Sequence, residues 1–443
     1  MSTQSQMERR RSPTGFLGAW EDVVGPRGVP SLAPRRGRPP RVPLTQLLPT
    51  LTWHVMQDTG TLAEHLFQLF RESLADSSWS DRRLRLPWEI FAELMRRALR
   101  PRATARQHRD AFWRGWRLVA LDGTQFSLLN TPQIADMVKA VTRRGRAAFA
   151  KMTTAVLLEV GLHNPLAAAI GRKGESEWAL AQRLLAQLPK HALLLGDRLY
   201  GVTAFVRAAQ RACRRVGSHF LLRASRAVKP RLIRRLPDGT RLVGLAVRSP
   251  HHPTHVIEWL EVREIRVRVG RKGHRAHELR LWTSLVDPAA APALELARVY
   301  ASRWEHELYF RELKRQLRRT AVLQSHTVET GAQEIAALVL ASAVLATERA
   351  RAATDAIPPL RISFGQLLNI VRGMWLVLGP FDDIFTDRQK TRVVRRGRAL
   401  MRHRLTAPRR PRTCPRAVRQ PVTRWPRLMK PESIEQPWTL QLL

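Results

Sequence analysis

Hydrophobic positions recur with helical spacing between Pro43 and about Arg100, in the segments PLTQLLPTLTWHVMQ, TLAEHLFQLFRESL and PWEIFAELMRRAL. Apolar residues three and four positions apart fall on one face of an α-helix, so the pattern predicts a small helical domain here. Residues 1–42 are rich in Pro, Gly and Arg instead. That composition is typical of a disordered basic arm.

From Trp116 the pattern changes to alternating strands and helices. The runs, in chain order, are WRLVALDGTQFSLL, KMTTAVLLEVGL, the helical ESEWALAQRLLAQL, ALLLGDRLYG, the helical TAFVRAAQRACRRV and SHFLLRAS. This alternation predicts an α/β sheet covered by helices. Residues 229–286 interrupt it with RLVGLAV, HVIEWLEVREIRVRVG and HELRLWTSL, which predict three or more strands joined by Gly, Pro and His turns.

The segment VYASRWEHELYFRELKRQL, residues 299–317, has the pattern of one long helix. At roughly 100° per residue, four of its side chains fall within about 60° of each other on the helical wheel. These four are Tyr300, Arg303, Glu307 and Lys314.

A separate apolar seam follows the same predicted helix, about 100° round from the charged stripe. It consists of Ala297, Ala301, Trp304 and Leu308. Docking on this seam would leave Glu307 facing the sheet edge, whereas Glu305 and Glu312, roughly 140–160° away from it, would be solvated. On its own, the Arg303–Glu307 spacing is also that of an ordinary i,i+4 surface ion pair.

The C-terminal part combines apolar helices with a basic tail. The apolar run Ile335–Ala346 is too short to cross a bilayer and predicts a buried helix, and helix resumes in ISFGQLLNIVRGMWLVL. The tail from Arg388 to Lys430 has 16 basic residues, no acidic residue and scattered prolines. It predicts an extended or disordered segment that binds a polyanion.

Charge composition points to the same class of partner. The 443-residue chain is long enough for two to four domains, and its formal net charge is +40. Such a surplus repels itself unless a polyanion neutralises it, and nucleic acid is the first candidate. Arg outnumbers Lys 67 to 9, as a GC-rich coding bias would produce. The charge therefore supports a polyanionic partner without identifying any single contact.

Cysteine usage and the N-terminal residues bear on the compartment. Cys213 and Cys414 lie far apart, without metal-ligand spacing, which fits a reducing cytoplasm and predicts neither a disulfide framework nor a zinc site. The N-terminal residues lack the apolar stretch of a secretory signal. We therefore expect a cytoplasmic protein with no membrane partner.

A short motif in the N-terminal arm suggests a DNA contact. The stretch RRGRPPR contains Arg-Gly-Arg-Pro, the core of an AT-hook, so Arg36 and Arg38 are candidates for a narrow A·T minor groove. A proline-stiffened basic linker is the alternative interpretation.

Two aspartates follow apolar runs that predict central strands. Asp122 comes after residues 118–121 and Asp197 after residues 193–196. If the strands are neighbours, both carboxylates emerge at the sheet edge where open α/β sheets hold ligands. Divalent cations would relieve the repulsion between them. The alternative is that each Asp opens a turn, since Asp-Gly and Gly-Asp are turn-prone.

The spacing of the stripe resembles the Y-R-E-K signature of the insertion sequence 4 family of DDE transposases. The matching positions, with two, three and six residues between them, are Tyr300, Arg303, Glu307 and Lys314. LDGT at residues 121–124, GDRLY at residues 196–200 and the β-rich insert are also similar to that family. The likeness covers roughly residues 35–350, beginning with RRGRPPRVPLTQLL.

The resemblance implies an α/β fold: a ribonuclease H-like catalytic core with an inserted β-rich subdomain, preceded by a small helical domain. In it Asp122, Asp197 and Glu307 would be catalytic and bind two Mg²⁺ ions, with Mn²⁺ as a substitute. The three remaining stripe residues would hold phosphates near the cut end.

The implied function is DNA-mediated, cut-and-paste transposition of an insertion sequence. The enzyme would cleave phosphodiester bonds at the element ends and transfer the strands to a target. Its partners would be double-stranded DNA, meaning the terminal inverted repeats and the target, bound by a dimer. The bacterial cytoplasm, at the nucleoid, would be its location.

The combined expectations divide the chain into seven parts. They are a disordered basic arm (1–42), a helical DNA-binding domain (43–110), the first part of the catalytic core (111–228), the β-rich insertion (229–286), the second part of the core with the Glu helix (287–350), a C-terminal helical region (351–387) and a basic tail (388–443).

The sequence departs from the family at two positions and leaves other functions open. Leu199 stands where relatives often have glycine, and Leu279 aligns with the tryptophan that stacks on a flipped base in better-known members. Trp259 or Trp282 would have to replace that tryptophan, although a core position is the interpretation we favour for each.

Two other functions are alternatives. A domesticated or inactive relative would only bind DNA. A restriction-type nuclease would use Glu312-Leu313-Lys314 as an E-x-K element, which requires a strand where the pattern indicates helix.

Overall fold

A computed structural model describes most of the chain. The described residues are 15–25, 27–31, 40–129, 131–134, 141–142, 145–146, 149–249, 251–252, 254–271, 274–318, 320–381, 383–407 and 439–442. They form two compact units. Unit 1 contains the described residues up to 192 and those from 304 to 405, and unit 2 contains residues 193–303, 406–407 and 439–442.

Helices and strands both occur in quantity, so the mixed α/β fold class is confirmed. The helices are α1 Gly15–Val24, α2 Leu44–His54, α3 Leu62–Phe70, α4 Asp76–Leu84, α5 Trp88–Ala98, α6 Glu177–Leu184, α7 Thr203–Arg215, α8 Ala293–Ala301, α9 Trp304–Arg311, α10 Val328–Ala352, α11 Phe364–Leu378 and α12 Asp387–Met401. The strands are β1 Phe112–Trp113, β2 Trp116–Ser127, β3 Val141–Thr142, β4 Gly145–Arg146, β5 Lys151–Glu159, β6 Asn164–Ile170, β7 Ala192–Gly196, β8 His219–Arg223, β9 Arg231–Arg235, β10 Arg241–Arg248, β11 Val256–Arg271, β12 His274–Thr283 and β13 Thr439–Leu442.

Unit 1 is built on antiparallel strands with helices packed around them. β1 pairs with β2, β2 with β5, and β5 with β6. Helix α6 packs on β5 and β6, α10 on β6, and α9 on β2. The predicted helices α2, α3 and α5 are present, and α4 between them was not predicted. The apolar faces of α2 to α5 share one hydrophobic core with α1, α10 and α11. Burial of these faces stabilises the helices more than their intrinsic propensities do.

Unit 2 carries the β-rich region between the second aspartate and the stripe. β7 and β8 are parallel, and antiparallel pairing continues from β8 through β12, β11 and β10 to β9. β13 adds to β11. Helix α8 packs on β11 and β13, and α7 on β8 and β10. The strands expected between residues 229 and 286 are therefore present, while their status as an inserted domain stays a prediction.

Part of the predicted N-terminal arm is ordered. Residues 15–24 form α1, and Phe16 and Trp20 are buried. The ring centroid of Phe16 lies 5.0 Å from that of Trp53 and 5.6 Å from that of Trp375. The expectation of disorder is wrong here, because the average composition of residues 1–42 hides a short aromatic stretch that finds partners in α2 and α11. The AT-hook residues Arg36 and Arg38 lie outside the described residues.

The first part of the predicted basic tail is also helical. Helix α12 begins after Thr386, whose side chain accepts a hydrogen bond from the Gln389 amide while Gln389 bonds back to Thr386. No proline occurs between residues 387 and 401, and scattered prolines begin only at Pro408. The prediction of an extended tail is therefore wrong for residues 388–401, because the capping box at Thr386 starts a helix.

Helix α10 is the longest apolar helix among the described residues. Its length and hydropathy would allow it to cross a membrane, yet 94% of its most apolar stretch is buried inside the protein. This burial is typical of a core helix, as predicted for the run Ile335–Ala346.

Candidate active site

Asp122 lies in the middle of a strand and not at its end. The pairing of β2 with β5 runs without a break from Val119–Glu159 through Asp122–Val156 to Ser127–Lys151. The expected strand end is wrong, and so is the turn alternative, because residues 123–127 continue the same ladder. Asp122 is half-buried, and its Oδ1 accepts a hydrogen bond from the Gly123 amide at 2.9 Å.

Gly123 brings a further carboxylate, missed by the sequence analysis, to this strand. A Cβ at Gly123 would lie 2.3 Å from Cδ of Glu177, the first residue of α6. Any larger residue at this position would displace the Glu177 side chain. Glu177 therefore lies next to the residue that follows Asp122. The sequence signal was the Asp-Gly pair, which we interpreted as a turn.

Asp197 directly follows β7, as predicted, and it also opens a turn. Its Oδ1 accepts a hydrogen bond from the Leu199 amide at 2.7 Å, and its carbonyl accepts one from the Tyr200 amide at 3.2 Å. The two interpretations of this residue are thus compatible. The half-buried carboxylate is held by its own backbone at the strand end.

Tyr300 is buried and contacts the backbone next to Asp197. Its hydroxyl donates a hydrogen bond to the Gly196 carbonyl at 3.3 Å. Burial, the largest cause, raises the pKa of Tyr300 to about 12, so the hydroxyl keeps its proton. In this structure Tyr300 ties α8 to the end of β7, and a phosphate contact by Tyr300 stays a prediction.

The predicted single helix over residues 299–317 is wrong. Helix α8 ends at Ala301, α9 begins at Trp304, and residues Glu312–Leu317 form a π-helical turn. Between α8 and α9 the amides of Ser302 and Arg303 bond to carbonyls three residues back, which tightens the chain. Hydrophobic periodicity cannot reveal this break, because the polar spacing continues through it.

The buried face of α9 differs from the predicted seam. His306, Tyr309 and Phe310 are buried, whereas Ala301 is exposed and Trp304 is half-buried. The seam is wrong because it assumed one continuous wheel. Glu307 is nevertheless half-buried on α9, the helix that packs against β2 and hence against the strand of Asp122.

Glu305 and Glu312, expected to be solvated, form a buried charge cluster with His163. One ring nitrogen of His163, Nδ1, lies 2.7 Å from Glu312 Oε2, and the other, Nε2, lies 3.0 Å from Glu305 Oε2. Arg349 Nη1 donates to Glu312 Oε1 at 3.1 Å, and its Nε and Nη2 donate to the Ile362 carbonyl. We call His163, Glu305, Glu312 and Arg349 the clamp. It fixes both ends of the segment that carries Glu307.

The protonation of the clamp follows from its geometry. Since a carboxylate faces each ring nitrogen of His163, both nitrogens must donate, which requires the imidazolium form. Burial alone would lower the pKa of His163, but Glu312 and Glu305 outweigh it and raise the pKa. Burial would likewise raise the pKa of Glu312, but His163 and Arg349 lower it to about 2.

Glu312 cannot serve as the acid of an E-x-K nuclease element in this conformation. Residues 312–314 lie in the π-helical turn and not in a strand, and Glu312 is buried between two cations. Residues 312–314 therefore do not form the E-x-K strand that the restriction-type alternative requires.

Lys314 links the Glu307 segment to the strand of Asp122. Its Nζ donates to the Gln125 carbonyl of β2 at 2.7 Å and lies 5.2 Å from the ring centroid of Phe126. Burial, followed by the charges of Arg318 and Lys151, lowers the pKa of Lys314 to about 8. An ammonium group has three donors, so two remain for a phosphate.

The two candidate tryptophans have opposite environments. Trp282 is fully buried and its Nε1 donates to Glu264 Oε2 at 3.2 Å, which confirms a core position. The core position is wrong for Trp259, which is 47% exposed, with the Arg231 guanidinium 5.8 Å from its ring centroid. Residues alternate between the faces of β11, and Trp259 lies on the solvent side.

The three candidate carboxylates are the residues that would hold a metal. Within the part of the chain that the structure describes, no group of three or more His, Cys, Asp or Glu side chains could hold a metal ion. Asp122, Asp197 and Glu307 are oxygen donors, the ligand type that Mg²⁺ and Mn²⁺ prefer. Their chemistry fits such a cation.

The family described as "Transposase DDE domain" matches residues 113–343, about half of the chain. The chain belongs to the DDE transposase family. The predicted resemblance to the insertion sequence 4 family is confirmed by two relatives from Escherichia coli (strain K12). "Transposase InsG for insertion sequence element IS4" is 27% identical over 270 residues, which are 60% of this chain and 60% of that protein. "Putative transposase InsZ" is 28% identical over 163 residues, 36% of this chain and 53% of that protein.

The match thus spans about 60% or less of each relative's length. The solved "piggyBac transposase synaptic complex with hairpin DNA" aligns with 93% of this chain and 89% of that chain, at 8% identity and a TM-score of 0.45. A structural similarity this low supports no conclusion about fold or function. The region matched by the DDE transposase family includes Asp122, Asp197, Tyr300, Arg303, Glu307 and Lys314.

Proposed function

We propose that this protein is a DNA transposase that cleaves phosphodiester bonds at the ends of an insertion sequence and transfers the ends to target DNA. The observation that carries the proposal is the family match over residues 113–343, which includes all three candidate carboxylates. The packing of α9 against β2 supports it, because it makes the elements of Asp122 and Glu307 neighbours.

In the proposed site Asp122, Asp197 and Glu307 hold two Mg²⁺ ions, or Mn²⁺, through carboxylate oxygens. The bound metal supplies activation of the attacking oxygen and stabilisation of the leaving 3′ oxygen. The chain's own residues orient the DNA. Arg303 binds a phosphate through its guanidinium, and Lys314 uses the donors not taken by Gln125.

Rigid support for these groups comes from contacts that bind no substrate. The clamp holds α9 and the π-helical turn from both ends, and Tyr300 holds the backbone before Asp197. Preorganised side chains lose little entropy when the substrate binds, and this lowers the barrier of the chemical step.

The proposal extends to the architecture and the assembly. The strands and helices around Asp122, Asp197 and Glu307 constitute a ribonuclease H-like core, the β9–β12 region is its insertion, and α2 to α5 form a helical DNA-binding region. Two copies act on duplex DNA that includes the terminal inverted repeats and the target, by cut-and-paste transposition in the cytoplasm. A domesticated, DNA-binding relative is the alternative, and it predicts binding without cleavage.

The test separates binding from chemistry. Asp122→Asn, Asp197→Asn and Glu307→Gln should each abolish Mg²⁺-dependent cleavage of the element's end DNA while keeping the affinity for it. The matched control is Asp110→Asn, an exposed carboxylate just before β1, which should cleave at the wild-type rate. Wild-type protein that binds DNA but never cleaves it would favour the domesticated relative.

A further inference from the structure

Helix α12 is fixed against unit 1 by its inner face. Lys390, Gly397 and Met401 are buried. A Cβ at Gly397 would lie 2.7 Å from Sδ of Met374 in α11, so α12 packs closely on that side chain. The helix is therefore a rigid part of the fold, and its outer side chains have defined positions.

Glu348 pairs with one arginine of α12 and one of α10 on the inner side of α12. Glu348 of α10 is buried and accepts hydrogen bonds from Arg351 at 2.8 Å and from Arg398 at 3.1 Å. Arg402 donates to the Ala352 carbonyl at 3.0 Å. Next to these groups lies a groove of about 400 Å³, whose lining includes Arg351, Lys390, Arg395, Arg398 and Arg402. Arg351 also pairs with Asp22 at 2.6 Å, and Lys390 lies 3.9 Å from Asp387. Three carboxylates thus face the five cations of this groove, which keeps a surplus of positive charge.

The arginines on the outer side of α12 have no such neutralisation. Arg388, Arg392, Arg395 and Arg396 are exposed. In the described parts of the chain, none of these four forms an ion pair with a carboxylate. An unpaired group of guanidinium ions is repulsive, and a bound polyanion would relieve that repulsion.

The spacing of the outer arginines suits a DNA strand. Arg388, Arg392 and Arg395 follow the i, i+4, i+7 pattern and share one helix face. At 1.5 Å per residue they span about 10 Å. Phosphates on one strand of B-DNA advance by about 3.4 Å each along the axis, so three of them fit this length. Guanidinium groups can bind such phosphates bidentately.

We infer that the outer face of α12 and the adjoining groove bind the phosphate backbone of duplex DNA, without reading its sequence. The inference rests on the proposed function and adds to it a binding surface separate from the candidate catalytic residues. The ligand is a duplex backbone because a row of cations of this length meets consecutive phosphates, which a single free phosphate cannot supply.

The experiment measures the salt dependence of binding to a mixed-sequence 30-base-pair duplex by fluorescence anisotropy with the full-length protein. The test variant is Arg388→Gln/Arg392→Gln/Arg395→Gln. The control is Arg211→Gln/Arg214→Gln/Arg215→Gln, which removes the same charge from three exposed positions of α7. Each lost phosphate contact lowers the slope of log K against log salt by about 0.9, so the test variant should lose about 2.7.

The α7 control variant should lose less than one unit of slope. A second control, Arg388→Lys/Arg392→Lys/Arg395→Lys, keeps the positive charges and should retain most of the wild-type slope. Equal losses in the α7 and α12 variants would overturn the inference while leaving wild-type DNA binding and cleavage intact. Wild-type protein without affinity for the duplex would instead overturn the proposed function. If the α12 variant binds poly-glutamate more weakly but the duplex unchanged, α12 contacts an acidic protein surface and the inference fails.

Thermal melting checks that the variants fold. Should the triple glutamine variant melt well below the wild type, Arg392→Gln alone is measured, because Arg392 is exposed on the outer side of α12. It should lower the slope by about 0.9, and an unchanged slope would overturn the inference.

Discussion

Two charge-rich segments of unit 1 use their charges in opposite ways. In residues 304–317 the acids Glu305 and Glu312 face inward, where His163 and Arg349 pair with them. In α12 the inner Arg398 pairs with Glu348 of α10, and the outer arginines face solvent. Charges of the first kind hold a helix in place, and charges of the second kind are available to a ligand. We infer that charged side chains support the fold in the first segment and bind a ligand in the second.

The sharpest test of this division lies within one segment. Glu307→Gln should reduce cleavage at least roughly a thousandfold, about 4 kcal/mol in the barrier, with little change in the free energy of unfolding. Single-turnover cleavage and urea denaturation measure the two quantities. If Glu307→Gln lost stability in proportion to activity, Glu307 would belong with the supporting acids.

The clamp should show the reverse behaviour. His163→Gln leaves two buried carboxylates without their shared cation and should lower the free energy of unfolding by about 3 kcal/mol. His252→Gln, at an exposed position, is the control. Urea denaturation measures this quantity. A change in the free energy of unfolding below about 1 kcal/mol would show that the clamp does not stabilise the fold.

The same variant predicts a pH dependence. Because the folded pKa of His163 is raised, its contribution is complete below the unfolded value of 6.5 and is lost as pH rises through the folded pKa. The stability difference between wild type and His163→Gln should therefore shrink on the alkaline side. Arg349 and Tyr309 also face this cluster.

Arg303 tests whether the stripe binds phosphate. If Arg303 binds a phosphate of the reacting strand, its removal would cost about 2–3 kcal/mol of transition-state stabilisation. Arg303→Ala should therefore slow cleavage roughly 30- to 150-fold. Because Arg303 is only half-buried, its loss should lower the free energy of unfolding by at most about 1 kcal/mol. Arg315→Ala, at an exposed position of the π-helical turn, is the control. Wild-type cleavage by Arg303→Ala would confine the site to the carboxylates.

The smallest effect concerns the charge of Lys314. Its lowered pKa of about 8 means that the cation is present below pH 8 and is lost as pH rises through that value. At pH 9 only about a tenth stays protonated, so phosphate binding by Lys314 should weaken up to about tenfold between pH 7 and 9. Lys314→Arg keeps its charge, and the rate ratio of wild type to Lys314→Arg should fall over this range. A constant ratio would show that Lys314 contacts no phosphate.

Much of the secondary structure could be predicted from local pattern. The alternation after Trp116 gave the correct order of β2, β5, α6, β7, α7 and β8, because burial of one face imposes a period that the sequence displays. Elements stabilised by distant partners were missed. Helix α1 depends on Trp53 and Trp375, which lie far from it in sequence.

By itself the sequence determined which chemical groups are present and how they are spaced: two aspartates after apolar runs, and the Tyr300 to Lys314 spacing, which resembles the family signature. Only the tertiary structure decided which charges face inward. Glu312 is buried because His163, 149 residues earlier, and Arg349, 37 residues later, both meet it. The free-energy cost of burying a carboxylate depends on the partners that the fold places beside it. A helical wheel shows one helix only and therefore cannot reveal partners from other elements.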